Sequence, residues 1–294
     1  MNNQSFLSVA DDGKNGLWRY VLGSIVIIFS WMLLSALLGT LFSPEVSGGA
    51  APLGAISLLS FLPMLVMPMV VVRVLHGRSA GTLIGPAKRL NWSRIGRAAL
   101  VWLALFIASI IVGVVLFGLS SYELNLTGFL NNLPAVLIYL LLIPIQASAE
   151  EVFFRGYLLQ AFGRLTRNWL VLVVINGGLF ALPHMVNPEV GAAGPVLAAL
   201  NWVASGVFFT LLTLRSGSLD YAIGAHVINN IAAAVLVGYP DSAMGNVALV
   251  MSRELDAVFS LVTFVGAAVI GYVVLTRSTA KEIHSPVPRR AETA

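Results

Sequence analysis

The chain has 294 residues, of which 58% are hydrophobic and only 10% are charged, and its mean hydropathy is +0.89. Soluble domains carry about 25% charged residues, so this composition excludes an ordinary soluble domain and is typical of a multi-span membrane protein. The net charge of +4 does not indicate nucleic-acid binding, because the basic residues lie in short runs between apolar spans. The chain has no cysteine, which excludes disulfides and thiolate chemistry. The first 15 residues lack the pattern of a removable signal peptide, so we expect the first span to stay as an anchor.

Eight segments are apolar enough to cross a bilayer, which needs roughly 20 residues at a rise of 1.5 Å each. The loops between them are short. We therefore predict an all-α, polytopic membrane helix bundle that forms one integral domain over residues 1–294, with a disordered cytoplasmic tail over residues 277–294. The predicted spans are Tyr20–Phe42, Pro52–Val72, Ala98–Leu119, Phe129–Phe162, Trp169–Met185, Pro195–Leu214, Leu219–Val237 and Val247–Leu275.

The distribution of lysine and arginine predicts the orientation of these spans, because cytoplasmic loops are enriched in both. The loops around Glu45, Glu123, Glu189 and Asp241 carry almost no basic residue, with Arg253 as the exception. The alternation predicts that both termini are cytoplasmic, and the Ala- and Gly-rich composition favours a bacterial cytoplasmic membrane. The basic residues of the other segments are Lys14, Arg19, Arg78, Lys88, Arg89, Arg94, Arg97, Arg164, Arg167, Arg215, Arg277 and Lys281.

The fourth stretch, Phe129–Phe162, would be about 50 Å long as a straight helix, against a hydrocarbon core of about 30 Å. Pro144 removes a helix hydrogen bond in its middle, which predicts a kink or break. Two acids follow, and acids are costly at membrane depth, so they usually have a function there. Glu151 and Arg155 have the i, i+4 spacing of a buried ion pair. Glu150 points about 100° away from Glu151 and is the stronger candidate for catalysis.

Two histidines in later spans have a predicted depth similar to that of Glu150. Measured along the helix axes from the predicted cytoplasmic side, the distances are about 21 Å for Glu150, about 22 Å for His184 and about 16 Å for His226. Asn230 shares a helix face with His226, whereas Asn229 points elsewhere and is the weaker candidate. The matched depth predicts that these residues converge on one site. The two remaining histidines have no partner in the pattern and are expected to be solvated, namely His76 and His284.

This set of residue types fits two chemistries. A buried glutamate beside a histidine can activate a water as general base, and histidine and asparagine can donate hydrogen bonds to an oxyanion. That combination is typical of amide hydrolysis without a covalent nucleophile; Ser148 is near, but no Asp–His pair supports a serine mechanism. Alternatively, Glu150, His184 and His226 would ligate a zinc ion that keeps one position open for water, although the usual H-E-x-x-H spacing is absent. The cofactor prediction is therefore zinc or none.

Three motifs resemble those of the CPBP family, the type II CAAX prenyl endopeptidases and bacteriocin-processing relatives also called the Abi family. They are E-E-x-x-x-R at Glu150–Arg155, F-x-x-x-H at Phe180–His184 and H-x-x-x-N at His226–Asn230. Each motif alone is weak, but the three in this order on a multi-span protein are specific. The resemblance covers about residues 130–238, which we take as the family core.

The resemblance implies an intramembrane endopeptidase that cleaves a membrane-associated protein or peptide, with prenylated CAAX proteins as one substrate class. It implies that Glu150 and His184 activate the water, that His226 and Asn230 stabilise the oxyanion, and that the ion pair of the first motif orders the site. It also implies a site that opens to the cytoplasmic side. Two other functions stay open, a proton-coupled transporter and a non-catalytic scaffold that binds partner membrane proteins, since ionisable groups inside a membrane also mark ion paths.

Overall fold

The predicted helical membrane bundle is confirmed by the computed structural model, which describes residues 3–42, 51–240, 242–243 and 247–284. Seven helices in this described part are long and apolar enough to cross a membrane. Two acids used to predict the orientation, Glu45 and Asp241, lie outside the described residues. The seven helices are Leu17–Leu41, Gly54–Val74, Trp92–Phe117, Leu133–Phe162, Trp169–Val186, Pro195–Ser216 and Ala257–Arg277.

The bundle is built from α-helices joined by short 3-10 and π-helical turns, with one small sheet at one end. The α-helices are α1 Asn3–Ser8, α2 Leu17–Leu41, α3 Ala51–Ile56, α4 Leu62–Val74, α5 Trp92–Phe117, α6 Leu126–Asn131, α7 Leu133–Glu150, α8 Leu159–Phe162, α9 Trp169–Ala181, α10 Glu189–Ala193, α11 Pro195–Ser216, α12 Asp220–Ile231 and α13 Ala257–His284. The 3-10 helices are Val9–Asp12, Ser57–Phe61, Ala80–Leu83, Leu119–Ser121 and Leu182–Val186, and the π-helices are Glu151–Leu158 and Ala232–Leu236.

The sheet joins the loops at the predicted non-cytoplasmic end of the bundle. Its strands are β1 Tyr122–Leu124, β2 Val237–Gly238 and β3 Val250–Ser252, in the order β1-β3-β2. The β1 strand pairs antiparallel with β3, and β2 pairs parallel with it. The sheet therefore ties the end of α5 to the segment that precedes α13.

The predicted seventh span is a helix but not one of the seven long ones, and the predicted eighth span begins at Ala257 and not at Val247. Helix α12 and the π-helix after it form one helix that is shorter than the seven long spans. It begins inside the protein, because Gly217 ends α11 with a φ of 75° and the buried Asp220 accepts hydrogen bonds from the Asn91 amide and the Ser218 hydroxyl. The predicted count of about eight spans is thus seven long helices plus this shorter, buried one.

The fourth long helix is continuous from Leu133 to Phe162, so of the kink or break predicted at Pro144 the break is absent. The change in backbone hydrogen bonding comes later, at the π-helix that starts at Glu151. At the end of the chain, α13 stays helical to His284, so the first part of the predicted disordered tail is helical in the structure. Residues 285–294 lie outside the described part.

Glycines allow the helices around the site to pack closely, as small residues do in membrane bundles. A methyl group on Gly206 of α11 would lie 2.8 Å from the Cα of Gly177 in α9. A methyl group on Gly224 of α12 would meet the backbone carbonyl of Ile95 in α5. These contacts fix how α11 and α12 are placed beside α9 and α5.

The segment that joins α4 to α5 folds into the protein, so the prediction that His76 is solvated is wrong. The His76 side chain is fully buried; its Nδ1 lies 2.9 Å from the Lys14 carbonyl and its Nε2 lies 3.2 Å from the Tyr157 hydroxyl. Aromatic packing against Tyr20 completes its surroundings. Burial lowers the pKa of His76 to about 4, because the charged ring loses its solvent. The side chain of His284 lies outside the described part.

Candidate active site

The two adjacent glutamates lie where the fourth long helix changes its hydrogen bonding. Glu150 is the last residue of α7, and Glu151 is the first residue of the π-helix that follows. Short π-helical segments occur often at functional sites. Both side chains are buried, with relative exposures of 5% for Glu150 and 0% for Glu151. The helix therefore presents two carboxylates to the interior of the bundle.

His226 of α12 lies between the two carboxylates. Its Nδ1 is 2.8 Å from Glu151 Oε1, and its Nε2 is 3.4 Å from Glu150 Oε2. An ionised carboxylate only accepts hydrogen bonds, so Nδ1 donates to Glu151 and Nε2 is left facing Glu150. The distance of 3.4 Å exceeds that of an ordinary N–H···O bond, and Glu150 Oε2 has no hydrogen-bond partner. The imidazole stacks on the Phe209 ring, with centroids 4.6 Å apart, which fixes its plane.

Arg155 holds the second carboxylate. The ion pair expected from the i, i+4 spacing is present, with Arg155 Nη1 donating to Glu151 Oε1 at 2.9 Å. Nη2 donates to the Gly206 carbonyl at 3.1 Å, and the guanidinium lies 4.5 Å from the centroid of the Phe180 ring. Neither side chain of the pair is exposed to solvent. Glu151 is thus bonded through Oε1 to both Arg155 and His226, whereas Oε2 of Glu151 and Oε2 of Glu150 have no hydrogen-bond partner.

His184 reaches the same cavity from another direction. It lies in the 3-10 helix that follows α9, and its Nδ1 is 2.8 Å from the Phe180 carbonyl oxygen. Because a carbonyl only accepts, Nδ1 donates, and in the neutral ring Nε2 then carries a lone pair. The ring lies 5.3 Å from that of Trp202. No hydrogen bond or ion pair joins His184 to Glu150, although both are within the described residues and both line the cavity.

A chain of side-chain amides sets the orientation of Asn230. Trp102 Nε1 donates to Asn229 Oδ1 at 3.1 Å, Asn229 Nδ2 donates to Asn230 Oδ1 at 3.2 Å, and Asn230 Nδ2 donates to Gln146 Oε1 at 3.0 Å. One N–H of the Asn230 amide therefore remains for a ligand. Sequence reasoning missed Gln146, although it precedes Glu150 by four residues and so shares its helix face.

These side chains line one cavity of about 860 Å³. Its deep end holds Gln146, Glu150, His184, His226 and Asn230. Its other end reaches the small sheet and the segment before α13. Under the orientation that the charges predict, this is the non-cytoplasmic end, whereas the resemblance implied access from the cytoplasm. The residues at that end include Ser120, Ser121, Tyr122, Tyr239, Ser252, Arg253, Glu254 and Asp256.

The residues predicted as alternative zinc ligands do not form a set of three donors. Within the described ranges there is no group of three His, Asp or Glu side chains placed to hold one ion. Glu150 and His226 are neighbours, whereas no hydrogen bond or ion pair joins His184 to either of them within the described residues.

Comparison with known proteins covers both the motif region and most of the chain. Residues 129–232 match the family described as type II CAAX prenyl endopeptidase Rce1-like. "Uncharacterized protein YyaK" of Bacillus subtilis (strain 168) is 34% identical over 252 residues, which cover 80% of this chain and 83% of that protein. No solved structure matches the chain. The matched region contains Glu150, His184, His226 and Asn230.

Proposed function

The chain belongs to the Rce1-like family of type II CAAX prenyl endopeptidases, and we propose that it hydrolyses a peptide bond inside the membrane with a water activated by Glu150. The observation that carries this proposal is the environment of that carboxylate. Glu150 is buried and lines the cavity, and its Oε2 has no hydrogen-bond partner. A buried carboxylate that lines a cavity and is not bound by an arginine can accept a proton from a bound water.

The first chemical step forms one bond and transfers one proton. Glu150 takes a proton from the water, and the oxygen of that water attacks the carbonyl carbon of the substrate. His184, with Nδ1 donating to Phe180, accepts the second O–H of the water at Nε2 and orients it. The product of this step is a tetrahedral intermediate with one negative oxygen.

Donors on α12 stabilise that oxygen. Asn230 offers its remaining N–H, and the amide chain through Gln146 holds it in position. His226 donates from Nε2 when both ring nitrogens are protonated, and Glu151 keeps the ring in place through Nδ1. Preorganised donors of this kind lower the barrier because they need no reorganisation during the reaction. The C–N bond then breaks, and Glu150 passes its proton to the leaving nitrogen.

The substrate class of this proposal is a membrane-associated protein or peptide. Comparing the protein termini of cells that carry wild-type protein or Glu150→Gln identifies it, because precursors accumulate when cleavage stops. We expect Glu150→Gln to lose cleavage and Glu123→Gln, at an exposed position of β1, to retain it. Cleavage retained by Glu150→Gln contradicts the proposal and leaves the scaffold and transporter functions. Elemental analysis of the purified active protein tests the separate zinc mechanism.

A further inference from the structure

The cavity that contains Glu150 is lined from one half of the bundle. On α5, α11 and α13, most of the lining residues lie in the halves of these helices that are toward the small sheet. At its mouth are exposed residues of the segments around Ser120 and Arg253. Among the residues the structure describes, the lining includes none from the arginine-bearing segments 76–97, 163–168 and 215–219. The cavity therefore reaches one end of the bundle and not the other.

Buried side chains close the other end. After Glu151 the π-helix buries every residue as far as Tyr157, and Gln160 further on is also fully buried. The segment between α4 and α5 packs against this helix: Gln160 Nε2 donates to the Thr82 carbonyl at 2.8 Å, and a methyl group on Gly156 would lie 2.9 Å from the Leu83 carbonyl. Thr82 and Leu83 are themselves buried. A substrate can reach Glu150 from this end only if the buried layer is displaced.

The charges tell which side each end faces. The closed end carries almost all of the lysines and arginines, whereas the open end carries Glu123, Glu189, Glu254 and Asp256 with the single Arg253 among its described residues. Because basic residues mark the cytoplasmic side, the closed end is cytoplasmic and the open end faces away from the cytoplasm. Three acids against one arginine line the mouth of the cavity, which favours a substrate segment that carries basic residues.

We infer that the substrate enters this site from the non-cytoplasmic side of the membrane. The occupant is a polypeptide segment of an exported or membrane protein, exposed on the outer surface, and not a cytoplasmic C-terminus. The cavity volume of about 860 Å³ is near the upper end of the usual 300–1,000 Å³ of ligand pockets, which suits several side chains of an extended segment. This inference rests on the proposed peptidase function for the identity of the occupant.

Cysteine labelling tests the access route directly, because the chain has no cysteine of its own. Single variants Ser120→Cys at the mouth, Ser205→Cys inside the cavity and Ala87→Cys in the exposed segment at the closed end are treated with a membrane-impermeant maleimide. In intact cells we expect labelling of Ser120→Cys and Ser205→Cys, and labelling of Ala87→Cys only after permeabilisation. In the same cells, modification of Ser205→Cys is expected to block cleavage, whereas full modification of Ala87→Cys in permeabilised cells leaves it unchanged.

Two results overturn the inference. One is labelling of Ser205→Cys only after permeabilisation, which means that the cavity opens to the cytoplasm. The other is no labelling of Ser205→Cys in the folded protein when the denatured protein reacts, which means that the cavity is closed at both ends. Neither result depends on Glu150. The labelling experiment therefore tests the access route alone, whereas the peptidase proposal fails if Glu150→Gln cleaves as the wild-type protein does.

Discussion

The two adjacent glutamates are expected to differ sharply in their contribution to stability. Glu151 forms a fully buried ion pair with Arg155 and accepts a hydrogen bond from His226. Removing one partner of a buried ion pair costs about 3–5 kcal/mol, because the other charge stays buried without compensation. Arg155 bonds to Glu151 and not to Glu150, and the Glu150 side chain adjoins the cavity. We therefore expect Glu151→Ala to lose about 3–5 kcal/mol and Glu150→Ala to lose about 1 kcal/mol or less.

Thermal unfolding of the purified protein in one detergent, followed by tryptophan fluorescence, measures this difference. At about 2–4 °C per kcal/mol, Glu151→Ala should lower the midpoint by on the order of 10 °C. The double variant Glu151→Ala/Arg155→Leu should recover part of this loss, since it leaves no unpaired charge. Glu123→Ala, at an exposed position, serves as the control. Equal destabilisation by Glu150→Ala and Glu151→Ala would refute the division of the pair into a framework acid and a reactive acid.

Three further predictions concern packing, pH and donors. Gly206→Ala should lower the free energy of unfolding by about 1–3 kcal/mol, because the new methyl group meets Gly177. Gly178→Ala is the control and should leave stability unchanged, because its methyl group meets nothing within 4 Å. Equal thermal midpoints for the two variants would contradict this prediction. Because burial lowers the pKa of His76 from 6.5 to about 4, the folded protein binds fewer protons there than the unfolded chain. Its contribution to stability is thus full above pH 6.5 and is lost as the pH falls toward 4. The midpoint of His76→Gln should depend less on pH over this range, and an unchanged pH dependence would count against the buried neutral ring. Asn230→Ala should lower kcat by roughly 10²–10³-fold with little change in KM, as expected for a lost oxyanion donor, and an unchanged kcat would exclude that role.

The sequence predicts those features that depend on local spacing. Hydropathy located the long helices, and the i, i+4 spacing predicted the ion pair of Glu151 and Arg155. Local spacing did not predict that His226 bonds to Glu151, because that contact depends on how α12 is rotated about its axis beside α7. The bond from Asn230 to Gln146 depends on the same rotation.

The local composition also gave one wrong prediction, the solvent exposure of His76. His76 lies in a segment rich in basic residues, which favours a solvated loop, but that segment folds back onto the π-helix and buries the ring against Tyr20 and Tyr157. Nothing in the hydropathy pattern distinguishes a loop that packs inward from one that extends into solvent. The closed end of the cavity was missed for the same reason.

The most direct test of the account is the cleavage rate of Glu150→Gln in proteoliposomes, with the substrate identified from the accumulated precursors. The variant keeps the shape of the side chain but has no carboxylate to accept a proton. We predict a loss of at least about 10³-fold in kcat, with a thermal midpoint close to that of the wild-type protein. A folded Glu150→Gln protein that cleaves at the wild-type rate would contradict the claim that Glu150 activates the water.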